Sequence, residues 1–251
     1  MTAPDLLTEV LEKPRSAFVP FPGMQCIARP DWHQLTTPGM KGGGLNSVSL
    51  AIIRSDKADQ VIGDTIRGYD EMGLRFRWEV GPDSRPLDLG KRLEARGLKP
   101  VSVAGMASTQ CSARNPTDVE VELVVPSTLQ EFNALMSEGW GIKSNALCDY
   151  NAHVLRESPK RNPFFIARIG GKGVGVASYF AFPNSAFLVG GVVLQEFRKR
   201  GVYRALVAAR QEHAFKAGRA VTTCHAIADS SAPTLAKIGF ETVCPFTFYV
   251  R

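Results

Sequence analysis

Apolar and polar positions along this chain follow two periods, about 2 and about 3.6 residues, in a recurring order. Residues 46–53, NSVSLAII, are an apolar run that predicts a buried strand. Ser55-Asp56 is placed to cap a helix reaching Met72, with Gly73 after its end. Residues 74–80, LRFRWEV, alternate and predict a half-exposed strand. A turn at Gly81-Pro82-Asp83 leads to a short helix over 87–96, stopped by Gly97, and a strand over 100–106. The polar stretch 107–118, with Asn115-Pro116 inside it, reads as a linker.

The alternation then starts afresh. A strand is predicted over 119–125, and a helix capped by Ser127 that runs to Glu138 with Gly139 after its end. A second helix falls within 143–157. Residues 164–169 and 174–180 are apolar strands joined by GGKG, which predicts a β-hairpin. A strand over 186–194 feeds a helix over 202–217 that stops at Gly218; a strand over 220–226, a short helix over 232–238 and a last strand over 243–250 complete the series. Ahead of all this, Pro14, Pro20, Pro22, Pro30 and Pro38 are spaced too closely for long elements. The expected organisation is an irregular segment over 1–45, one α/β half over 46–110 and another over 117–251.

The junction at residues 193–206, VLQEFRKRGVYRAL, carries the clearest chemistry. A strand that turns at once into a helix leaves the first helical N–H groups without partners. The helix dipole and the adjacent Arg198, Lys199 and Arg200 make such a place attractive to phosphate. GGKGVG at 170–175 does not do the same. It lacks GxxxxGK[ST], and a strand follows it where a dinucleotide site needs a helix.

The junction resembles motif A of the GNAT superfamily of N-acetyltransferases, V-x-P-x-x-(R/Q)-x-x-G-x-(G/A). Val193, Arg198 and Gly201 match it, and Leu206 matches the leucine that follows on the helix. Gln195 stands where proline is common, and Tyr203 at the last Gly/Ala. Residues 228–240 resemble motif B, which ends in Gly-Phe, here Gly239-Phe240. Ala228 falls at its asparagine, Ser231 at its alanine, Thr234 at its leucine and Leu235 at its tyrosine.

The resemblance implies a mixed α/β fold, a mostly antiparallel sheet flanked by helices, in two related halves. It implies acetyl-CoA as co-substrate and no metal. The residues implied to hold acetyl-CoA are Val192, Val193, Leu194, Arg198, Lys199, Arg200, Gly201, Val202, Tyr203 and Arg204, with Ser230 or Ser231 in place of the asparagine. The acceptor would be a small-molecule or peptide amine that attacks the thioester directly. A bulky Tyr203 keeps its N–H available to phosphate only if its ring turns away. Leu235 cannot protonate a leaving thiolate, so the catalytic acid and base are unassigned; His225, Tyr249, Glu120, Glu122, Asp149 and His153 are candidates. A non-catalytic acyl-CoA-binding module, or a binder of another phosphate-bearing ligand, fits the same residues. Residues 46–106 resemble a degenerate first half of a tandem acetyltransferase, without an RxxGxG turn.

Composition narrows the partners. A net charge of +6 suits an anionic ligand. The charge is spread along the chain with no basic tail or nucleic-acid motif, so nucleic acid is not expected. Five scattered cysteines without CxxC spacing argue against zinc and against a disulfide framework. No apolar run is long enough to span a bilayer, and the N-terminus does not read as a secretory leader, so a cytoplasmic protein is expected. Oligomeric state is open.

Overall fold

A short Gly-rich connection with two left-handed residues is what a tight β-hairpin requires. The computed structural model, which describes residues 5–112 and 118–251, has that connection at Gly170 (φ 54°) and Gly171 (φ 78°). It joins β7 (Phe164–Ile169) to β8 (Lys172–Ala181), the hairpin predicted from GGKG.

The chain divides into two compact units. One comprises Met1–Val19, Met106–His225 and Pro233–Val243. The other comprises Pro20–Gly105, Ala226–Ala232 and Cys244–Arg251. The units are therefore discontinuous in sequence, unlike a division into 46–110 and 117–251. The first 19 residues belong with the second series of elements, and residues 244–251 belong with the first.

In the unit built on residues 20–105, β1 (Gln25–Arg29), β2 (Trp32–Thr36) and β3 (Ser47–Ala51) pair antiparallel in sequence order. Helix α2 (Ala58–Glu71) crosses to β4 (Arg77–Val80), which lies parallel to β3. The far side of β4 pairs antiparallel with Thr247–Val250 of β11 (Glu241–Val250). Helix α3 (Leu89–Glu94) and β5 (Lys99–Ser108) follow β4 along the chain. The core has Tyr69 stacked on Phe76 (centroids 4.2 Å apart) and Trp32 edge-on to Trp78 (5.6 Å), with Val48, Ile62, Leu89 and Leu93 fully buried around them.

The other unit repeats this order. Its N-terminal helix is α1 (Leu6–Leu11), capped by Asp5. Strands β6 (Val119–Leu123), β7, β8 and β9 (Ser185–Val193) pair antiparallel in sequence order. Helix α6 (Val202–Lys216) then crosses to β10 (Val221–Ile227), parallel to β9. Helices α4 (Leu129–Trp140) and α5 (Asn145–Glu157) lie in sequence between β6 and β7, and α7 (Ser231–Ala236) follows β10. Arg168 of β7 forms a two-pronged ion pair with Glu131 of α4 (2.8 and 2.7 Å) and a third bond to Glu122 of β6 (2.8 Å). The guanidinium holds the Glu131 carboxyl below its ordinary value. Each unit is thus a mixed, mostly antiparallel sheet with one parallel strand pair bridged by a helix, the architecture expected above.

Several local expectations are corrected. Residues 5–45 are not irregular. Pro30 sits in the turn between β1 and β2, Pro20 and Pro22 precede β1, and Pro38 follows β2, so the prolines punctuate five-residue strands without interrupting them. Ser55-Asp56 does not cap α2; the helix starts from Lys57, and Asp56 pairs with Arg54. Gly139 lies inside α4, and Gly141 (φ 66°) ends the helix. Gly139 is there for contact: a Cβ on it would stand 2.6 Å from a Val192 methyl. The expected linker is anchored where it is described. Gln211 of α6 accepts from Ser112 N–H (2.9 Å) and donates to Gln110 O (2.9 Å). Asn115-Pro116 lies outside the described residues.

Tyr249 and Gly90 make the closest fit in their unit. A Cβ on Gly90 would meet the Tyr249 hydroxyl at 2.1 Å and its Cζ at 2.9 Å. Gly90→Ala is expected to destabilise the protein by about 1–3 kcal/mol in denaturant unfolding, with part of the loss recovered when Tyr249→Phe is added.

Candidate functional site

The parallel pairing of β9 with β10 runs for three residue pairs only, Ser185↔Val221, Ala186↔Thr222 and Phe187↔Thr223. Both strands continue, β9 to Val193 and β10 through Cys224 and His225, so they part after Thr223. Parting leaves backbone donors and acceptors of β9 facing a fork instead of a partner strand. Thr223, on the last rung, has a fully buried hydroxyl with no hydrogen bond among the described residues.

The end of β9 leads straight to the start of α6. After a short 3₁₀ turn over Gln195–Phe197 the backbone is left-handed at Lys199 (φ 63°) and again at Gly201 (φ 80°), the residue that begins α6. A non-glycine residue at positive φ is uncommon. Its occurrence here, with Gly201 two residues later, turns the chain sharply into the helix. The first helical bond runs from Ala205 N–H to Gly201 O (3.0 Å), and no side chain caps the helix. The N–H groups of Val202, Tyr203 and Arg204 precede that bond and have no intrahelical acceptor. Their dipole end is a site for an anion.

The side chains of the turn divide the work. Arg198 folds back and donates from Nε to Val193 O (3.3 Å). Arg200 donates to Asp118 (3.3 Å) and lies over the Phe197 ring, which Lys172 Nζ approaches at 5.0 Å. Lys199 is exposed, and Val192, Val193 and Leu194 are buried at the strand end.

Tyr203 turns its ring toward β9. Its Cε2 lies 3.2 Å from where a Cβ of Gly191 would be, so the ring packs closely on the glycine. The Tyr203 ring is thus engaged against β9. Beside it, Arg210 is fully buried. Its Nε donates to Leu206 O (2.9 Å), and its Nη1 to Ser178 O (3.0 Å) and Val189 O (3.3 Å). These carbonyls flank the place where the β8–β9 register shifts and Gly190 takes φ 65°. Burial lowers the Arg210 pKa from its ordinary value and raises that of Tyr203.

This fork, turn and helix start can be compared with known proteins. Residues 125–240 match the acetyltransferase (GNAT) family. That stretch is a GNAT domain. A search of curated proteins returns no significant match to the chain. Among solved structures, the chain is similar to a GCN5-related N-acetyltransferase from Kribbella flavida, at 13% identity and TM-score 0.68, covering 91% of this chain and 89% of that one. It is also similar to a GCN5-related N-acetyltransferase from Sphaerobacter thermophilus (14% identity, TM-score 0.64, 88% and 80%). A tandem GNAT protein from the clavulanic acid biosynthesis pathway matches at 13% identity and TM-score 0.58, covering 93% and 84%. These likenesses are likenesses of fold.

Within the GNAT domain the residues expected from the turn, Val192 to Leu194 and Arg198 to Arg204, come together at the end of β9 and the start of α6. Ser230 and Ser231 belong to the other compact unit. Ser230 N–H bonds Ile227 O (3.2 Å), and Ser231 opens α7. Leu235 is 2% exposed. The candidates for acid and base have other engagements. His225 Nε2 meets Val10 O at 2.8 Å, and its ring stands edge-on to Phe187, so it anchors α1. Tyr249 packs against Gly90 in the other unit, and Glu122 holds Arg168. Arg156 lies 3.5 Å from His153 Nδ1, and Asp149 and Glu120 are exposed.

Sequence reading missed Arg210, Gly191 and Lys172. The signal for Arg210 was present: Val202, Leu206, Arg210 and Ala214 recur every four residues, and all four are buried. A cation on that stripe is out of place unless something holds it. Lys172 belongs to the GGKG hairpin, set aside because it lacks a phosphate-loop spacing. Arg210→Ala is expected to cost about 3 kcal/mol or more in denaturant unfolding, since it leaves a cavity and removes a buried donor from the Ser178 and Val189 carbonyls.

Proposed function

We propose that the GNAT domain transfers an acetyl group from acetyl-CoA to an amine. The observation that carries this reading is the parting of β9 from β10 directly ahead of an uncapped helix start. The diphosphate of acetyl-CoA would lie on the N–H groups of Val202, Tyr203 and Arg204, with Lys199 adding charge. The pantetheine amides would pair with the edge of β9 that has parted from β10, at Val192–Leu194, in place of the Arg198 side chain that bonds Val193 O, as an added strand does. The amine attacks the thioester carbonyl, the carbon–sulfur bond breaks, and the thiolate leaves. A thiol pKa near 8.5 lets sulfur depart without full protonation, so a buried Leu235 does not by itself forbid the reaction. The donor and acceptor would be positioned by the rigid β9–α6 junction, and that positioning supplies much of the rate.

The N-terminal half supports a tandem reading. Its β3–α2–β4 order repeats β9–α6–β10, but α2 begins at Lys57 without a left-handed glycine start. We take residues 46–110 as a degenerate GNAT-like copy without a diphosphate site, and 117–251 as the acetyl-CoA-binding part. A second reading, an acyl-CoA-binding module without catalysis, is favoured by one observation: Leu235 occupies the position of the family tyrosine and is buried.

Titration calorimetry with acetyl-CoA, CoA and ATP separates these readings from each other and from binding of another phosphate-bearing ligand. Acetyl-CoA and CoA are expected to bind in the micromolar range and ATP more weakly; no CoA binding at millimolar ligand would reject both the enzyme and the binder. Release of free CoA with a panel of amines decides between those two. Gly201→Glu is expected to weaken CoA at least about tenfold, a loss of about 1.4 kcal/mol, in a protein that stays folded with a lowered unfolding midpoint. It places bulk and negative charge beside the diphosphate, at a backbone angle that glycine tolerates best. Unchanged affinity in that folded variant would reject the placement.

A further inference from the structure

A second cluster of reactive groups lies on β1, β2 and β3, in the compact unit that does not hold Val192–Arg204. Cys26 Sγ stands 3.7 Å from His33 Nε2, within hydrogen-bond range for sulfur. His33 Nδ1 lies 2.9 Å from Ser49 Oγ. The three side chains come from three adjacent antiparallel strands, so the sheet itself fixes their line. His33 is 8% exposed, whereas Cys26 is exposed on a strand whose five residues are all exposed. A nucleophile at a base, with the base oriented by a third polar group, is the arrangement that activates a thiol. Activation requires one tautomer, in which Ser49 Oγ accepts from Nδ1–H and the Nε2 lone pair accepts the Cys26 S–H.

We propose that Cys26, His33 and Ser49 form a nucleophilic thiol site that makes a mixed disulfide with small anionic disulfides. The step is thiol–disulfide exchange. His33 Nε2 takes the proton from Cys26, and the sulfur attacks one sulfur of the disulfide. A new S–S bond forms as the old one breaks. The electron pair leaves on the second sulfur, which takes the proton from His33 and departs as a thiol. Cys26 is oxidised and the incoming disulfide is reduced.

Three features favour this electrophile. Acyl transfer needs a pair of donors aimed at an oxyanion, whereas exchange needs only an accessible sulfur and a base. The exposed strand β1 offers the sulfur, and buried His33 the base. The net charge of +6 draws anionic reagents toward the protein. Partial burial pushes the Cys26 thiol above its ordinary value, so the sulfur waits protonated and needs a base at the moment of attack. The other thiols differ in surroundings. Cys224 and Cys244 are buried, their thiols pushed up to about 12 and about 11. Cys111 is exposed like Cys26, and its Sγ lies 3.9 Å from Ala208 O. It gives the comparison rate within the same protein.

The test uses the intact protein and Ellman's reagent, a dianionic aromatic disulfide, with rates from chromophore release and sites assigned by peptide mass mapping. Cys26 is expected to react at least about tenfold faster than Cys111, a modest part of what a positioned base contributes. His33→Gln is expected to bring Cys26 within about threefold of Cys111. If that variant does not fold, Ser49→Ala, which keeps the imidazole in the sheet, is expected to slow Cys26 about threefold or more. A wild-type Cys26 no faster than Cys111 overturns the proposal. So does a fast Cys26 whose rate survives either substitution in a folded protein.

Discussion

The arrangement of the GNAT domain depends on one buried cation. Arg210 has no carboxylate among its hydrogen-bond partners and is held by backbone carbonyls alone, two of them beside the bulge in β9. A charge taken out of water costs several kcal/mol unless its hydrogen bonds are replaced, so those carbonyls cannot drift without penalty. The guanidinium therefore fixes the bulge, and the bulge fixes where β9 turns from β10. Tyr203 and Gly191 complete the contact, because the ring needs a residue without a side chain opposite it. Helix, strand and fork are in this sense one rigid piece, and the proposed co-substrate would meet a surface already shaped.

The sequence showed much of this where chain chemistry is local. Gly170-Gly171 announced a tight hairpin, since two residues in a row had to accept positive φ. Val193, Arg198 and Gly201 announced a strand running through a sharp turn into a helix. Contacts between distant segments were less legible. Gly139 looked like a helix stop, and its real cause is a Val192 methyl more than fifty positions away. The crowding of prolines before residue 40 suggested disorder of pattern, yet Pro14 opens a 3₁₀ turn and Pro20, Pro22, Pro30 and Pro38 all fall outside the strands. His225 had the chemistry of a base; its bond to Val10 O, over 200 residues away, could not be read from its neighbours. Arg210 was legible as an anomaly in a buried stripe, but its partners were not.

The two sites draw on the same physics in different ways. At the helix start, left-handed residues precede N–H groups that no side chain caps among the described residues, and the proposed ligand there is an anion. On β1 to β3, hydrogen bonds are satisfied inside the triad, and what remains open is the sulfur. The first is a binding arrangement that leaves catalysis to positioning; the second is a chemical arrangement with almost no enclosure. Neither contains a cluster of three or more His, Cys, Asp or Glu side chains suited to a metal ion among the described residues.

The discontinuous units have a consequence for biosynthesis. Strand β4 takes as its neighbour Thr247–Val250, the last few residues but one of the chain. While the ribosome is still making the GNAT domain, the earlier unit has an open strand edge and an unfinished core face at Tyr249. It can close only after Thr247–Val250 have been made, so the unit begun first is completed after the GNAT domain, and its exposed edge must be kept from pairing with other nascent chains until then.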